Sequence, residues 1–427
     1  MFDRVMIEDA KKSLGEKVTI AGWVNRTREL AKIKFIIMRD MTGEIQITVK
    51  DPALYPSNGL GREDVISVTG KAVQSNIANT GIEFIPDRID ILNKSKQPLP
   101  VDITEQSKSE LETRLNWRFL DFRNPQTHAI FTIQGTILAA FRNYLTEHNY
   151  MEFQPPCVIS SASEGGAELF SLPYFEKKAF LAQSPQLYKQ MSAISFEKVF
   201  TVTPIWRAEK FNTPTHLNEI RQMDIEQAFA DDETVMAVLE QVLIYILNKV
   251  KNDCDKELKI LKKENLEVPE YPFRRVTYTE AINLLQIAGE QIKWGDDFTK
   301  PQEKKMMELV GEQAFFLKDW PSVLKAFYSM PYKDNPNIVH AFDCIYGGIE
   351  ISSGTQRIHI PELLRDQISK KGLNPENFVS YIEAFAYGAP PHAGWSIGLE
   401  RITMIITGMT NIRECCMFPR DRERLLP

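Results

Sequence analysis

The richest stretch of chemistry-bearing residues in this chain is FDCIYGGIEISSGTQR, residues 342–357. Asp343, Glu350, Ser353 and Arg357 stand there among apolar neighbours. Charges are costly to bury without partners, so such a string suggests a lined pocket more than a solvated face. Glu350 can hold a divalent cation, Ser353 can add an oxygen ligand, and Arg357 can clamp a carboxylate bidentately. Taken alone, the stretch reads equally well as a buried ion pair satisfied within a strand. Its pattern is a strand, a Gly-Gly break, a second short strand and a Ser-Ser-Gly turn ending at Arg357.

Three other stretches add to it. FLAQSPQLYKQ (180–190) sets Gln186 and Lys189 three residues apart, so both face one way on a helical turn. VFTVTPIWRAE (199–209) reads as a strand with Arg207 and Glu209 on one face by period two. A polar loop with Thr215, His216 and Leu217 follows, then a return strand holding Asp224 and Glu226. WSIGLER (395–401) runs from a strand through Gly398 into a helix with Arg401 in its first turn, where free N–H groups and the helix dipole favour anions. SASEGGAELF (161–170) is a Gly-Gly loop with Glu164 and Glu168, and it lacks the lysine of a phosphate-cradling loop. It reads as a lid whose carboxylates hold an amine, or as an ordinary surface turn.

These stretches need a scaffold, and 427 residues suffice for two or three domains with at least one large core. Hydrophobic residues at 43% and charged residues at 25% are ordinary for a globular protein. A net charge of -6 argues against a generally basic nucleic-acid coat and leaves room for a local basic face. No apolar run is long enough to span a bilayer, and the first ten residues lack an apolar signal core, so no membrane role is expected. The five cysteines are odd in number and show no CxxC spacing, which points to a reducing, cytoplasmic setting without a disulfide framework or zinc site.

Strand patterns at Lys17–Asn25, Ile33–Arg39, Glu44–Val49, Val65–Val73 and Ile82–Leu92 predict a small five-stranded barrel of the oligonucleotide-binding (OB) type. Phe35, Arg26, Arg28 and Gln46 lie on or beside its strands, a stacking plate, phosphate partners and an edge reader for single-stranded bases, and Phe35 reads equally well as core. Trp23 is expected in the core. Gln97-Pro-Leu-Pro100 marks a linker, and the Arg-rich segment 107–124 reads as a hinge touching nucleic acid or as a solvated helix. Residues 128–149 and 231–254 show helical periodicity, and 256–319 reads as supporting structure with little chemistry. The expected organisation is an OB barrel over 1–100, a hinge over 101–127, and an α+β domain over 128–427.

The residues now carry a resemblance. VFTVTPIWRAE…HLNEIRQMDIEQAF resembles motif 2 of class II aminoacyl-tRNA synthetases, GWSIGLERITMII resembles motif 3, and the helix and strand ending at Pro156 resemble motif 1. FLAQSPQLYKQ, FDCIYGGIEISSGTQR and FPRDRERL are similar to the archaeal-type aspartyl branch. The resemblance covers nearly the whole chain, with the motifs in the right order. It implies an OB-type anticodon barrel followed by a class II antiparallel sheet flanked by helices. It also implies activation of L-aspartate with ATP and Mg2+, transfer to tRNA-Asp, and action as a homodimer.

By that resemblance Arg207, Glu350 and Arg401 are catalytic. The ATP site comprises Arg207, Ala208, Glu209, Thr215, His216, Leu217, Glu350, Gly398, Leu399, Glu400 and Arg401. L-aspartate is held by Glu164, Gln186, Leu187, Tyr188, Lys189, Arg207, Asp224, Ser353 and Arg357, with Lys189 and Arg357 on its side-chain carboxylate. Magnesium is expected on Glu350, Ser353 and Asp343, and the anticodon on Phe35, Gln46, Asn25, Arg26 and Glu83. Two positions depart from the family pattern: Thr215 replaces an arginine common before the loop histidine, and Asn25 replaces a tryptophan common in relatives strict for tRNA-Asp. The second departure implies charging of tRNA-Asn as well. Rival readings are a strictly tRNA-Asp-specific enzyme, an adenylating paralogue acting without tRNA, and an inactive tRNA-binding protein.

Overall fold

The computed structural model describes residues 4–30, 33–78, 81–161 and 169–427. They form two compact units, Met1–Pro100 and Val101–Pro427.

The first unit is built on β1 (Lys17–Glu29), β2 (Lys34–Arg39), β3 (Glu44–Val49), β4 (Val65–Gln74) and β5 (Ile82–Asn93). They close into a barrel in the order β1-β2-β3-β5-β4, so no strand is left as an edge. Period-two alternation sorts each strand: Val24, Ile36, Met38, Ile45, Ile47 and Phe84 fill the interior, while Phe35, Ile37 and Gln46 point outward. The turn between β2 and β3 is fixed by Asp40, whose Oδ1 accepts from the backbone N–H groups of Thr42 and Gly43. A β-bulge in β1 between Val24 and Arg26 leaves Asn25 out of the ladder. Trp23 is half-buried rather than in the core: Val24 takes the interior position, and the Arg39 guanidinium lies 5.5 Å from the Trp23 ring.

The strands of the second unit are, in chain order, β6 (Met151–Glu152), β7 (Val158–Ile159), β8 (Ser171–Tyr174), β9 (Lys177–Leu181), β10 (Lys198–Trp206), β11 (Glu219–Ala228), β12 (Arg274–Thr277), β13 (Ala314–Pro321), β14 (Ile338–Tyr346), β15 (Ile349–Gln356) and β16 (His392–Gly398). Eight of them form one sheet, β12-β13-β14-β15-β16-β11-β10-β6. It is antiparallel from β13 to β10, with one parallel pair at each edge. The helices Pro125–Glu147, Asp232–Asp253 and Leu399–Thr407 place apolar residues in a core with one face of this sheet. Asn124 and Asp231 cap the first two through their side chains, and Pro125 occupies the first helical position.

The other face is polar. Met223 and Ile225 enter the core while Gln222, Asp224 and Glu226 alternate with them on β11. Ala393, Trp395 and Ile397 do the same opposite His392, Gly394 and Ser396 on β16. Three expectations are corrected. The strand carrying Arg207 and Glu209 ends at Trp206, so both lie in the following loop. Ser352-Ser353-Gly354 is the interior of β15, not a turn; the chain turns at Gly347-Gly348, whose φ values of +59° and +76° suit glycine. The arginines of 107–124 are not solvated: Arg118 is 1% exposed and donates to Asp121 and to main-chain carbonyls of Glu414, Cys416 and Met417. No helix among the described residues is long and apolar enough to cross a membrane.

Candidate active site and barrel face

Two adjoining cavities open on the polar face of the large sheet. The first, about 280 Å³, is lined by Lys189 and Gln186 from the helix Gln186–Phe196, Asp224 from β11, and Arg357 after β15. Four buried charges close on one another. Lys189 Nζ lies 2.9 Å from Asp224 Oδ1 and 3.5 Å from Glu226 Oε2. Arg357 grips Glu226 twice, Nε to Oε1 at 2.8 Å and Nη2 to Oε2 at 3.0 Å. All four are at most 2% exposed, so each charge depends on its partners. Gly394 makes the arrangement possible, because a Cβ there would sit 2.2 Å from Glu226 Oε2. One group is left unsatisfied there: Asp224 Oδ2 is buried and has no hydrogen-bond partner among the described residues. Burial raises Asp224 above the usual carboxylate range although Lys189 opposes it. Burial also acts on Glu226, but Arg357 and Lys189 outweigh it and lower that group.

The second cavity shares Arg207, Gln222, Glu350, Ser353 and Ser396 with the first and adds Glu209, His216, Gly398 and Arg401. Its local geometry turns on a β-bulge. Asp343 pairs with Ser353, but Ile345 pairs with Glu350, leaving Ile351 as the extra residue. Strict alternation would send Glu350 and Ser353 to opposite faces. The bulge directs Ile351 into the core and keeps both polar residues on the cavity face. Burial would raise Glu350, yet Arg401, Lys325, Lys300 and Arg207 surround it and hold it below its ordinary range. Asp343 is raised by burial; its Oδ2 accepts from Lys325 Nζ at 2.6 Å, while its buried Oδ1 has no partner among the described residues. His216 Nδ1 lies 2.6 Å from Thr213 Oγ1 and 3.1 Å from Thr215 Oγ1. Burial, with Arg401, Lys300 and Arg207 nearby, lowers its pKa to about 4, so the imidazole is neutral at pH 7. Gly398 is not required by packing: an added Cβ would meet only the Arg401 side chain, at 3.7 Å.

On the barrel, cross-strand pairing brings Phe35, Arg26 and Gln46 together, while Glu83 beside Gln46 is buried and Asn25 stands outside the ladder. Phe35 pairs with Arg28 and Thr48, Ile37 with Arg26 and Gln46, and Gln46 with Glu83. Gln46 Nε2 donates to Thr48 Oγ1 at 3.3 Å, which donates to Glu83 Oε2 at 2.6 Å. Phe35 and Gln46 are half-buried, Arg26 is exposed, and Asn25 donates from Nδ2 to Glu44 Oε1 at 2.6 Å.

Most of the expected site residues thus come together, with some exceptions. Glu164 lies outside the described residues. Leu187 and Tyr188 do not line the first cavity, since the helix turns them away between Gln186 and Lys189. Ala208 does not line the second, and Leu399 belongs to the core beneath it. Several contributors carry no role in the expected ligand sets. Glu226 was visible beside Asp224 on the return strand, by period-two spacing. Lys325 stands beside Asp343. Lys300 and Glu303 come from the segment read as mere support; Glu303 Oε2 accepts from Glu350 N at 3.4 Å, and Lys300 pairs with Glu303 at 2.7 Å. No local pattern marks either of them.

Comparison with known proteins agrees with this geometry. Residues 110–422 match the family model for tRNA synthetases class II (D, K and N), and residues 18–92 match that for the OB-fold nucleic acid binding domain. The Aspartate--tRNA(Asp/Asn) ligase of Methanocaldococcus jannaschii is 47% identical over 97% of this chain and 95% of its own. The Aspartate--tRNA(Asp) ligase of Pyrococcus abyssi is 46% identical, with 97% of each chain covered. Among solved structures, the asparaginyl-tRNA synthetase of Pyrococcus horikoshii in complex with asparaginyl-adenylate superposes with a TM-score of 0.93 at 32% identity over 100% of both chains. The barrel, the sheet with its two cavities and these matches place the chain in one family: it belongs to the class II tRNA synthetases of the D, K and N group and is an aminoacyl-tRNA ligase.

Proposed function

We propose that this protein is an aspartate–tRNA ligase that joins L-aspartate to ATP as aspartyl-adenylate, releasing pyrophosphate, and passes the aspartyl group to the 3′ end of tRNA-Asp and tRNA-Asn. The observation that carries this reading is the buried Lys189–Arg357 pair on the first cavity, with Asp224 Oδ2 unsatisfied beside it. The two cations take the side-chain carboxylate of aspartate, and Asp224 takes its α-ammonium. Asparagine would set amide hydrogens against guanidinium and ammonium hydrogens. Losing a buried charge-assisted contact of this kind costs about 2–5 kcal/mol, enough for strong discrimination.

The second cavity suits ATP. Its cations Arg207 and Arg401 meet the phosphates, Glu209 reads adenine, and Gly398 leaves the backbone open to approach. Arg207 lines both cavities, at the seam where a carboxylate oxygen of aspartate attacks the α-phosphorus, and there it neutralises charge developing in the transition state. Catalysis is then mostly positioning and charge stabilisation.

Among the described residues no group of three or more His, Cys, Asp or Glu side chains is arranged to hold a metal. Glu350 and Asp343, with the hydroxyl of Ser353, still fit Mg2+: the donors are all oxygen, and Asp343 Oδ1 is buried without a partner. Mg2+ is commonly held by one or two carboxylates together with substrate phosphates. When bound, it neutralises phosphate charge. On the barrel, Phe35 stacks on an anticodon base and Gln46 and Glu83 read base edges. The family resemblance further supports a cytoplasmic homodimer.

Charging of tRNA-Asp and tRNA-Asn transcripts with labelled aspartate, at equal concentration and fixed salt, tests the proposal. Comparable charging of both is the expected result. Charging of tRNA-Asp alone supports the second reading, a strict enzyme, which the name of the Pyrococcus abyssi relative favours. Charging of neither overturns the proposal.

A further inference from the structure

Behind the first cavity lies a chain of buried side chains that do not line it. His392 Nδ1 is 2.9 Å from the Pro390 carbonyl, and its Nε2 is 2.9 Å from Gln190 Nε2. Gln190 Oε1 accepts from Gln186 Nε2 and from the Tyr381 hydroxyl, each at 2.7 Å. His392, Gln190 and Tyr381 are at most 2% exposed.

Chemistry at one end sets the polarity of the whole chain. A carbonyl only accepts, so Nδ1 carries the proton, and Nε2 of the neutral ring is left as an acceptor. Of the two ends of the Gln190 amide, only the NH2 group can meet it. The Gln190 carbonyl therefore faces Tyr381 and Gln186, and it engages the NH2 group of Gln186. What remains of Gln186 for the cavity is its carbonyl oxygen. Among the described residues that oxygen has no hydrogen-bond partner, and Gln186 lines the cavity together with Asp224. A fixed acceptor lining the same cavity as an unsatisfied carboxylate oxygen suits a cationic N–H donor.

We infer that His392, Gln190 and Tyr381 are positioning residues that hold the Gln186 carbonyl toward the α-ammonium of the bound amino acid. The inference rests on the reading of this cavity as the amino-acid site. A proton on Nε2 would reverse the chain: the Gln190 carbonyl would turn to His392, and Gln186 would present its NH2 group to the ammonium. Burial opposes that state by lowering His392; Glu226 and the Pro390 carbonyl work the other way, Arg357 and His359 reinforce the lowering, and the net direction is down. Tyr381 is raised by burial and stays a neutral donor, and Phe385 stacks on the imidazole at 5.5 Å.

The test uses the full chain with Gln190→Met, in aspartate-dependent exchange of labelled pyrophosphate into ATP. Succinate, which is aspartate without its amino group, serves as a competitive probe. The expected result is a roughly tenfold rise in KM for aspartate, with kcat, KM for ATP and the succinate inhibition constant all within about twofold of the unaltered protein. Tyr381→Phe keeps the ring and shifts KM for aspartate in the same direction by a smaller factor; it decides the matter if Gln190→Met does not fold. Equal losses for aspartate and succinate, or an unchanged KM for aspartate, would overturn the inference. Exchange that does not depend on aspartate in the unaltered protein would instead remove the reading of the cavity itself.

Discussion

The two cavities share five lining residues and treat charge in opposite ways. In the first, Lys189 and Arg357 are matched by Asp224 and Glu226, all four within 2% of full burial. Removing any one leaves a partner stranded where water cannot reach it. At the second, Arg401, Lys325, Lys300 and Arg207 act on Glu350 from around it, and burial, reinforced by Arg401, Lys300 and Arg207, keeps His216 neutral. A balanced, enclosed site discriminates, since a ligand of the wrong charge pattern leaves donors facing donors. A cation-rich site awaits charge from its ligand, as a polyphosphate brings. On the proposed reading, the difference makes selectivity among amino acids and affinity for nucleotide separable, even with Arg207 common to both.

The largest effect expected is at the balanced site. Arg357→Met strands Glu226, which loses two hydrogen bonds and its main counter-charge. Breaking a buried pair costs about 3–5 kcal/mol, so both the melting temperature and aspartate-dependent pyrophosphate exchange should fall steeply. A variant that keeps its melting temperature would show that the balance is not what holds this region. Glu350→Ala sharpens the contrast. Exchange should be abolished, yet melting should drop less than in Arg357→Met, because no hydrogen bond to the Glu350 carboxylate occurs among the described residues. Retained exchange would sink the assignment of Glu350 to the metal and nucleotide.

The barrel extends the comparison to a face that binds without enclosing. Phe35 is half-buried and stands beside Arg28 and Thr48 in the ladder. Phe35→Ala should weaken tRNA charging by about 1–3 kcal/mol, the usual worth of one base stacked on an aromatic ring. Pyrophosphate exchange, which needs no tRNA, should be unchanged. A parallel loss in both assays would show that Phe35 supports the fold instead of reading a base.

How much of this was legible in the sequence depends on the range of the determining interaction. Alternation within one strand lets the barrel be read directly, but not which aromatic faces outward: Phe35 reads equally as core, and Trp23 is expected there. The composition of residues 342–357 announced a site, but its geometry did not follow from composition. Gly354 lies inside a strand because Phe342 packs against it, 2.3 Å from where a Cβ would stand, and a lone glycine cannot be told from a turn without that neighbour. The extra residue Ile351, which reunites Glu350 with Ser353, leaves no local mark either. Glu303 and Arg118 are set by contacts made far along the chain, where a charged stretch looks like solvated surface.

A pH dependence separates the two titrating groups of the second cavity. His216 falls from 6.5 to about 4, while Glu400, buried and accepting from Arg221 N, rises from 4.5 to about 7. The neutral imidazole favours the folded state above pH 6.5, and that contribution is lost as pH falls toward 4, because the unfolded chain takes the proton first. The neutral carboxyl works in reverse. Its contribution is complete below pH 4.5 and is lost as pH rises through 7, because the unfolded chain releases the proton first. Glu400→Gln keeps a neutral acceptor for Arg221 N and removes that proton release. It should melt higher than the unaltered protein at pH 8 and alike at pH 4.5, whereas His216→Gln should flatten only the acid limb. Melting curves from pH 4 to 9 distinguish the two, and an unchanged alkaline slope in Glu400→Gln would mean that burial does not keep Glu400 protonated.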